Sequence, residues 1–354
     1  MSIVCIYLTR GGMILRKYFK KSFPIILDIN PTDDCNLYCL SCWKRNPKFK
    51  DLNSRHYELP DSKLLGIIDE ASELNIKEIE ITGGGEPLLR KITPVLMKKV
   101  KEKKIKGSIT TNGILFNDRM INDLVDMGWD RIIFSLDGPN KEINDYLRGK
   151  SFDKIMEVIK SINRCKSRYK KKNPLLYFNV VISNKNYNLL EEFIKLAWKL
   201  KIDYIKFETL TIHSDLGKKL QLSEGQKNEF LANTGKALLL ASKLKVKTNL
   251  DVFNEDMMKE PAQMGKFVKA NMCFEPFYHM VVKTDGSVGP CCLFYGKSPN
   301  VKNHSLSKIW NGRYFNNLRE NVIKGNLMDY CKICNVGQIT NNIRLMNGLK
   351  CRSK

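Results

Sequence analysis

The stretch Cys35-Asn36-Leu37-Tyr38-Cys39-Leu40-Ser41-Cys42 places three cysteines in a C-x3-C-x2-C spacing. A loop of this kind can bring three thiolates to one face of a cubic iron–sulfur cluster, for which four cysteines are the usual ligands. No fourth cysteine is close by in the sequence, so one iron would lack a protein ligand. The spacing therefore predicts a cluster with an open iron that can bind a substrate or cofactor. A zinc knuckle or a chance grouping of cysteines is the alternative.

The loop follows the apolar run 25–29, and in this position it resembles the cluster loop of the radical SAM enzymes. The resemblance implies that Cys35, Cys39 and Cys42 hold a [4Fe-4S] cluster whose open iron binds S-adenosylmethionine. An electron from the cluster would cleave the sulfonium and give a 5′-deoxyadenosyl radical, which abstracts hydrogen from a substrate. One position departs from the family pattern, because Ser41 stands where an aromatic residue usually precedes the third cysteine.

From about residue 60 onward, strand and helix patterns alternate, and with the run 25–29 they make six strand–helix units. Such alternation is typical of a parallel sheet with helices outside it. Six units are too few for a closed eight-stranded barrel. We therefore expect an α/β fold, a partial (β/α)6 radical SAM barrel with a small C-terminal iron–sulfur auxiliary domain. The predicted strands span 25–29, 78–82, 107–111, 131–135, 176–182 and 204–209.

The same patterns divide the chain into four predicted segments. A basic N-terminal extension spans 1–24, and the partial barrel spans 25–221. A helical connector follows at 222–272. The cysteine-rich auxiliary domain occupies 273–354.

A glycine-rich motif, Gly83-Gly84-Gly85-Glu86-Pro87, ends the second predicted strand. Catalytic groups gather at the carboxyl ends of strands in such folds. Glycines allow a backbone to approach a ligand closely, and the Glu86 carboxylate could accept a hydrogen bond from an ammonium group. The motif resembles the GGEP motif of the family. That resemblance implies that Gly83, Gly84, Gly85 and Glu86 help to bind S-adenosylmethionine, the amino group being held through backbone carbonyls.

Two further motifs end the third and fourth predicted strands. The turn 110–113 resembles the TNG turn of the family, which implies that Asn112 approaches the cofactor; an ordinary βα turn with Asn–Gly explains it equally well. The motif 135–138 is followed by Arg148, as in relatives that carry extra clusters. The resemblance implies that Ser135 and Arg148 bind the methionine carboxylate, which Arg suits through paired hydrogen bonds. The alternative for Arg148 is a helix-capping role.

Three polar residues of the later strands, Asn179, Glu208 and His213, could face the barrel mouth. Strand-end or loop positions explain them as well, so no catalytic residue is assigned. The four histidines show no metal-ligand spacing, and we expect no histidine ligand.

The C-terminal part repeats the cysteine pattern. The spacing from Gly286 to Cys291 and the late C-x2-C motif resemble the auxiliary-cluster domains called SPASM and twitch. No further cysteine follows closely before Cys351, which favours the shorter twitch type with one auxiliary [4Fe-4S] cluster. Cys292 could replace its neighbour Cys291 as a ligand, and Cys351 stays unassigned. A structural zinc ion is the alternative to the cluster, because it would bind the same four thiolates. The ligands implied by the resemblance are Cys273, Cys291, Cys331 and Cys334.

Composition limits the partners and the location. The net charge of +23 over 354 residues fits an anionic partner, but the lysine runs carry no interleaved aromatics, so we do not expect nucleic acid. The basic amphipathic stretch 13–21 could contact an anionic membrane or pack across a barrel end. No secretory signal or long apolar span is present. Eleven cysteines without a signal argue against disulfides, so a cytoplasmic location is expected.

The function predicted from these patterns is radical SAM chemistry that oxidises a small anionic metabolite, such as a sugar or a cofactor precursor. An auxiliary cluster favours oxidation because it can accept an electron from a substrate radical. The alternative substrate is a peptide or protein side chain, which ranks second because residues 1–24 are too few for a leader-recognition domain. A non-enzymatic zinc or iron–sulfur nucleic-acid binder is the remaining alternative. The expected reductant is a flavodoxin or ferredoxin.

Overall fold

The computed structural model describes residues 23–46, 57–258 and 273–334. Its strands form one sheet in the order β7-β6-β5-β4-β3-β2-β1-β8-β9. Every neighbouring pair is parallel except β8 and β9. This mostly parallel, unclosed sheet confirms the expected fold class. The strands are β1 (Ile26–Ile29), β2 (Glu78–Ile81), β3 (Lys106–Thr111), β4 (Arg131–Ser135), β5 (Leu175–Ile182), β6 (Tyr204–Thr209), β7 (Lys247–Thr248), β8 (His279–Val282) and β9 (Val288–Gly289).

Helices connect the parallel strands, as the alternating pattern predicts. The helix Lys141–Arg148 is an addition to that pattern, and its N-cap is Asn140, whose side chain accepts a hydrogen bond from the Ile143 amide. Near the C-terminal end of the described residues, the helices Leu306–Trp310 and Arg313–Ile323 are separated by Asn311-Gly312. The α-helices are Asp61–Glu73, Thr93–Glu102, Asp118–Asp126, Lys141–Arg148, Phe152–Arg168, Leu190–Lys199, Asp215–Lys218, Glu224–Leu244, Glu275–Tyr278, Leu306–Trp310 and Arg313–Ile323.

The sheet has one apolar and one polar face, because successive side chains of a strand point to opposite sides. Leu27 and Ile29 of β1 and Ile79 and Ile81 of β2 are buried in the main core with helix residues. The side chains between them face away from the helices, and we call this face the lumen. Charged and polar residues line the lumen, so it is the face that can receive a polar ligand.

The C-terminal part of the chain enters the same sheet. Strand β8 pairs in parallel with β1, with Ile26 opposite His279 and Asp28 opposite Val281. The Ile25 amide extends this pairing by donating to the Tyr278 carbonyl at 2.7 Å. The predicted domain boundaries stay predictions, but the sheet continues across the one placed at residue 273.

Among the described residues, no helix combines the length and the hydrophobicity needed to cross a membrane. The stretch 13–21, which carries the predicted membrane contact, lies outside the described residues. That contact therefore stays a prediction.

Candidate active site

The cysteine loop 35–42 contacts the end of the helix Lys141–Arg148. The Leu40 amide donates to the Leu147 carbonyl at 2.9 Å. The Cys39 thiol lies 3.6 Å from the Arg148 carbonyl oxygen. Burial raises the pKa of the Cys39 thiol, and the nearby Arg148 charge acts in the opposite direction. The loop is therefore fixed beside a residue that the sequence predicts to bind S-adenosylmethionine.

The cysteine loop also contacts the turn that follows β3. Asn112, which is 5% exposed, donates from Nδ2 to the Asn36 Oδ1 at 2.7 Å. The Asn112 Oδ1 in turn accepts from the Ile114 amide at 3.0 Å, and Gly113 adopts a φ of 78°. This positive φ is the conformation that the Asn–Gly pair favours. The structure thus places Asn112 against the cysteine loop.

The Glu86 carboxylate joins two of the predicted motifs. Its Oε1 accepts from the Thr111 hydroxyl at 2.7 Å, and its Oε2 accepts from the Asn112 amide at 2.7 Å. The Leu88 amide adds a third bond at 3.2 Å. Burial raises the pKa of Glu86, and these hydrogen bonds oppose the rise. Both oxygens are used inside the protein, so the carboxylate positions the turns, and its contact with a cofactor stays a prediction.

The glycines before Glu86 make room for the chain that leads into the cysteine loop. A Cβ on Gly84 would lie 1.8 Å from Asp33 Oδ1, and one on Gly85 would lie 1.9 Å from the Asp34 carbonyl oxygen. The Gly85 amide donates to the Thr32 carbonyl at 3.1 Å. The close approach predicted for a ligand is therefore also required by the protein's own backbone.

Arg148 lies in the last turn of its helix and pairs with Asp137. Its Nη1 donates to Asp137 Oδ2 at 2.8 Å, and Asp137 Oδ1 accepts from the Val181 amide at 2.9 Å. Burial by itself would lower the pKa of Arg148, but the Asp137 charge outweighs it and the pKa is raised. The buried Arg148 Nε has no partner among the described residues. This donor fits a carboxylate ligand, as the resemblance implies.

Ser135, the last residue of β4, lies opposite Asn179 of β5 in the sheet register. Asn179 Oδ1 is buried and has no partner in the described part of the chain. Ser135 and Asn179 therefore sit side by side on the lumen. We use the name rim for one set of residues. It comprises the loop 35–42, the turns 83–87, 110–113 and 135–138, and Arg148.

The four predicted auxiliary ligands are neighbours in the fold. Burial raises the pKa of the Cys334 thiol most, and the charges of Cys273 and Cys331 raise it further. The pKa of Cys291 is likewise raised by burial and by the charges of neighbouring cysteines, Cys273 and Cys334 included. Cys351 lies outside the described residues.

Cys291 and Cys292 face different surroundings. Cys291 packs against a small core of Val281, Phe294 and Tyr330. Cys292 is exposed, yet burial raises its pKa to about 12, with Asp28 and Glu208 adding to the rise. Both observations hold if the thiol opens onto the deep lumen rather than onto the outer surface. The structure thereby separates two cysteines that the sequence leaves in competition.

A single-ion site is not seen in residues 23–46, 57–258 and 273–334, where no three His, Cys, Asp or Glu side chains lie close enough to hold one metal ion. The ligand sets of both clusters stay predictions.

The lumen carries charged residues that belong to none of the predicted motifs. Arg131 donates to Glu80 Oε1 at 3.2 Å, and Lys206 to Glu208 Oε1 at 2.6 Å. Burial raises the pKa of Glu80 to about 7; Asp28 adds to the rise and Arg131 opposes it. The alternation of charged and apolar residues at 78–81 and 204–208 is the signal that could have found them. We call Asp28, Glu80, Arg131, Lys206, Glu208 and His279 the lumen cluster.

Of the three polar residues predicted near the barrel mouth, Asn179 and Glu208 lie on the lumen face of their strands. His213 follows β6 in a loop, where burial lowers its pKa. His279, which no motif predicted, bonds through Nδ1 to Glu275 Oε2 at 2.6 Å. Its Nε2 lies 3.7 Å from Asp28 Oδ2.

Two family models match the chain. Residues 29–197 match a model described as the radical SAM superfamily. Residues 273–335 match SPASM, described as an iron–sulfur cluster-binding domain. The matches cover the cysteine loop, the rim and the four C-terminal cysteines that are predicted as auxiliary ligands.

Curated relatives match over different lengths. A tungsten-containing aldehyde ferredoxin oxidoreductase cofactor-modifying protein of Pyrococcus furiosus is 24% identical over 86% of this chain and 85% of its own. A probable GTP 3′,8-cyclase of Methanocaldococcus jannaschii is 36% identical over 39% of this chain and 44% of its own. The mycofactocin maturase MftC of Mycolicibacterium smegmatis is 30% identical over 49% and 42%. The last two alignments thus span less than half of either protein.

Solved structures share the fold. Streptococcus suis SuiB bound to its precursor peptide SuiA matches with a TM-score of 0.66 and 18% identity, over 91% of this chain and 73% of that one. The enzyme anSMEcpe with bound AdoMet matches with a TM-score of 0.64 and 18% identity, over 88% of each chain. At these identities the likeness concerns the fold alone.

Proposed function

Because this chain belongs to the radical SAM superfamily and carries a C-terminal SPASM domain, we propose that it oxidises a small polar metabolite held in the lumen. The observation that supports this most is the pairing of β8 with β1. It places the C-terminal module directly beside the strand that leads into the cysteine loop. From this pairing we infer that the rim, the lumen and the auxiliary cysteines face one chamber, in which a substrate can be reached from both cysteine sites.

The rim is proposed to hold the radical-generating cofactors. Cys35, Cys39 and Cys42 would bind a [4Fe-4S] cluster, and the turns together with Ser135 would bind S-adenosylmethionine. When bound, these groups supply a 5′-deoxyadenosyl radical that removes a hydrogen atom from the substrate. The unpartnered Arg148 Nε is the donor we assign to the methionine carboxylate. An external reductant such as flavodoxin or ferredoxin would supply the electron that starts the cycle.

The auxiliary site is proposed to receive an electron. Four cysteines would hold the second cluster there, with Cys291 rather than Cys292 as the ligand, because Cys291 packs against the C-terminal core. The substrate would lose one hydrogen atom, one electron and one proton, which together equal two hydrogens. The proton would pass to Glu80, whose pKa of about 7 suits a base at neutral pH. The proposed ligands are Cys273, Cys291, Cys331 and Cys334.

A peptide substrate is the second candidate. The similarity to MftC, a mycofactocin maturase, favours it. The charged lumen favours the first candidate, a small polar metabolite, because its paired side chains suit a compact polar molecule more than an extended chain.

The two candidates are separated by one incubation. Anaerobic holoenzyme, S-adenosylmethionine and dithionite are mixed with a cell extract, either untreated or freed of peptides by protease digestion and filtration. We expect the treated extract to support 5′-deoxyadenosine formation above the extract-free rate, with a product lighter than its precursor by two hydrogens. Loss of the response after treatment would favour the peptide candidate.

A further inference from the structure

The cations of the lumen cluster are already paired with carboxylates. Arg131 bonds to Glu80, and Lys206 bonds to Glu208. His279 lies between Glu275 and Asp28, and these two carboxylates raise its pKa even though burial alone would lower it. An anionic group that entered the lumen would therefore meet cations whose charge is already balanced.

Several polar atoms of the lumen have no partner among the described residues. Asp28 Oδ1, Asn179 Oδ1, His279 Nε2 and Arg131 Nε are all buried and have no hydrogen-bond partner there. Asp28 is 5% exposed and His279 is 8% exposed. The 3.7 Å between His279 Nε2 and Asp28 Oδ2 is too long for a hydrogen bond. Buried polar groups are normally satisfied, so these atoms are matched to the groups of a ligand.

Whether the unpartnered atoms are acceptors or donors indicates which hydrogen-bonding groups that ligand carries. Two of the four are acceptors, one carboxylate oxygen and one amide oxygen, and the other two are ring and guanidinium nitrogens, which can bond to a hydroxyl oxygen. Hydroxyl and ammonium donors bond well to such acceptors, and bonds to a carboxylate are the stronger ones. A phosphate or carboxylate would instead face the Asp28 carboxylate, and like charges brought together in a buried site repel each other.

We propose that the lumen cluster recognises the substrate, and that the groups it recognises are hydroxyl or ammonium donors on a small neutral or cationic molecule. This rests on the proposed function. It departs from the anionic substrate that the net charge of +23 suggests. Overall charge reports on the whole surface, whereas the lumen carries its own balance of charged groups.

The test divides a protease-treated small-molecule extract of the source cells by ion exchange at neutral pH into anionic, neutral and cationic pools. Each pool is added to anaerobic holoenzyme with S-adenosylmethionine and dithionite, and 5′-deoxyadenosine is measured. We expect the neutral or the cationic pool to carry the response. A response confined to the anionic pool would overturn the inference and leave the proposed function standing. A response from no pool would overturn both.

Two variants locate the recognition. Asp28→Asn removes the charge of the unpartnered carboxylate, and Glu208→Gln removes a charge on another strand. Losing one bond to a charged group costs about tenfold or more in affinity, so more of the active pool is needed for half-maximal rate. Glu208→Gln also leaves Lys206 unpaired, which improves the response to the anionic pool.

The control is Glu102→Gln, because the Glu102 side chain is 60% exposed on an outer helix; it should keep the wild-type half-saturation. Thermal unfolding of each holoenzyme identifies a variant that does not fold. Should Asp28→Asn fail this check, Glu208→Gln carries the test alone. Folded variants with wild-type half-saturation in every pool would contradict the proposal.

Discussion

The rim and the lumen cluster are built in opposite ways. The rim consists of short local motifs whose polar groups bond to one another: Glu86 alone ties the turn before it to the turn after β3. The lumen cluster consists of single residues from five strands, and it leaves Asp28 Oδ1 and His279 Nε2 without partners. The turns of the rim are fixed to one another, which suits cofactors common to many reactions, and only Arg148 Nε is left for the proposed methionine carboxylate among the unpartnered atoms described above. The unpartnered atoms of the lumen suit one particular substrate.

The largest expected effect concerns the cysteine loop. Cys39→Ala removes one of three proposed ligands, so the radical-generating cluster should not assemble. Iron should fall from about eight to about four per chain, as for the loss of one of two four-iron clusters. Cleavage of S-adenosylmethionine should fall to background.

The matched control is Cys165→Ala, since Cys165 is a buried thiol of an outer helix and belongs to neither cysteine group. Its iron content and cleavage should equal those of the wild type. Full iron in the Cys39 variant would remove the basis for the rim as a cluster site.

The next effect separates two adjacent cysteines. Cys291→Ala should lose about half of the iron, because Cys291 packs against the C-terminal core and is the proposed ligand. Cys292→Ala should keep it, because Cys292 faces the lumen charges. Iron and sulfide analysis after anaerobic reconstitution measures both. The reverse pattern would exchange the two assignments, and one zinc per chain in place of the second cluster would refute the auxiliary site.

A smaller effect is expected from the link inside the rim. Glu86→Gln places an amide NH2 where the carboxylate accepts from Thr111 or Asn112, so one buried donor loses its acceptor. Such a loss costs about 1–3 kcal/mol. The apparent Tm of the holoenzyme should fall by several degrees, and the KM for S-adenosylmethionine should rise, whereas Glu102→Gln changes neither. An unchanged Tm in Glu86→Gln would show that the two turns do not depend on this carboxylate.

The smallest effect is a change in pH dependence at Glu80. Its folded pKa of about 7 lies above the ordinary value of 4.5, so the folded state binds more protons between these pH values. Stability should then fall as pH rises through this window. Burial raises the pKa most, Asp28 and Glu78 raise it further, and Arg131 and His279 lower it.

Glu80→Gln removes this titration, so the apparent Tm of the variant should fall less than that of the wild type between pH 5 and pH 7. Glu102→Gln should keep the wild-type slope. Parallel slopes for wild type and Glu80→Gln would contradict the raised pKa.

The parts that could be predicted from the sequence are those encoded locally. The cysteine loop and the strand-end turns each lie within a few residues, and alternation of strand and helix patterns defines β1 to β6. The helix Lys141–Arg148 was missed because its eight residues follow a turn and precede a longer helix, Phe152–Arg168. Short amphipathic pieces of this kind are hard to distinguish from loops.

The parts that could not be predicted depend on pairing between distant segments. Nothing within His279–Val282 indicates that it pairs with Ile26–Ile29, because an apolar run of four residues fits many partners. The lumen cluster depends on that pairing, since His279 reaches Asp28 only through it. Single charged residues on separate strands form a site only in the register that this pairing sets.

The central claim is that three cysteines of the rim leave one iron open for S-adenosylmethionine. Electron paramagnetic resonance of the anaerobic, dithionite-reduced protein tests it directly, with and without added S-adenosylmethionine. We expect a reduced-cluster signal whose shape changes when S-adenosylmethionine is added, and a weaker change in Arg148→Lys at the same iron content. A protein with no signal, or with a signal that S-adenosylmethionine leaves unaltered, would contradict it.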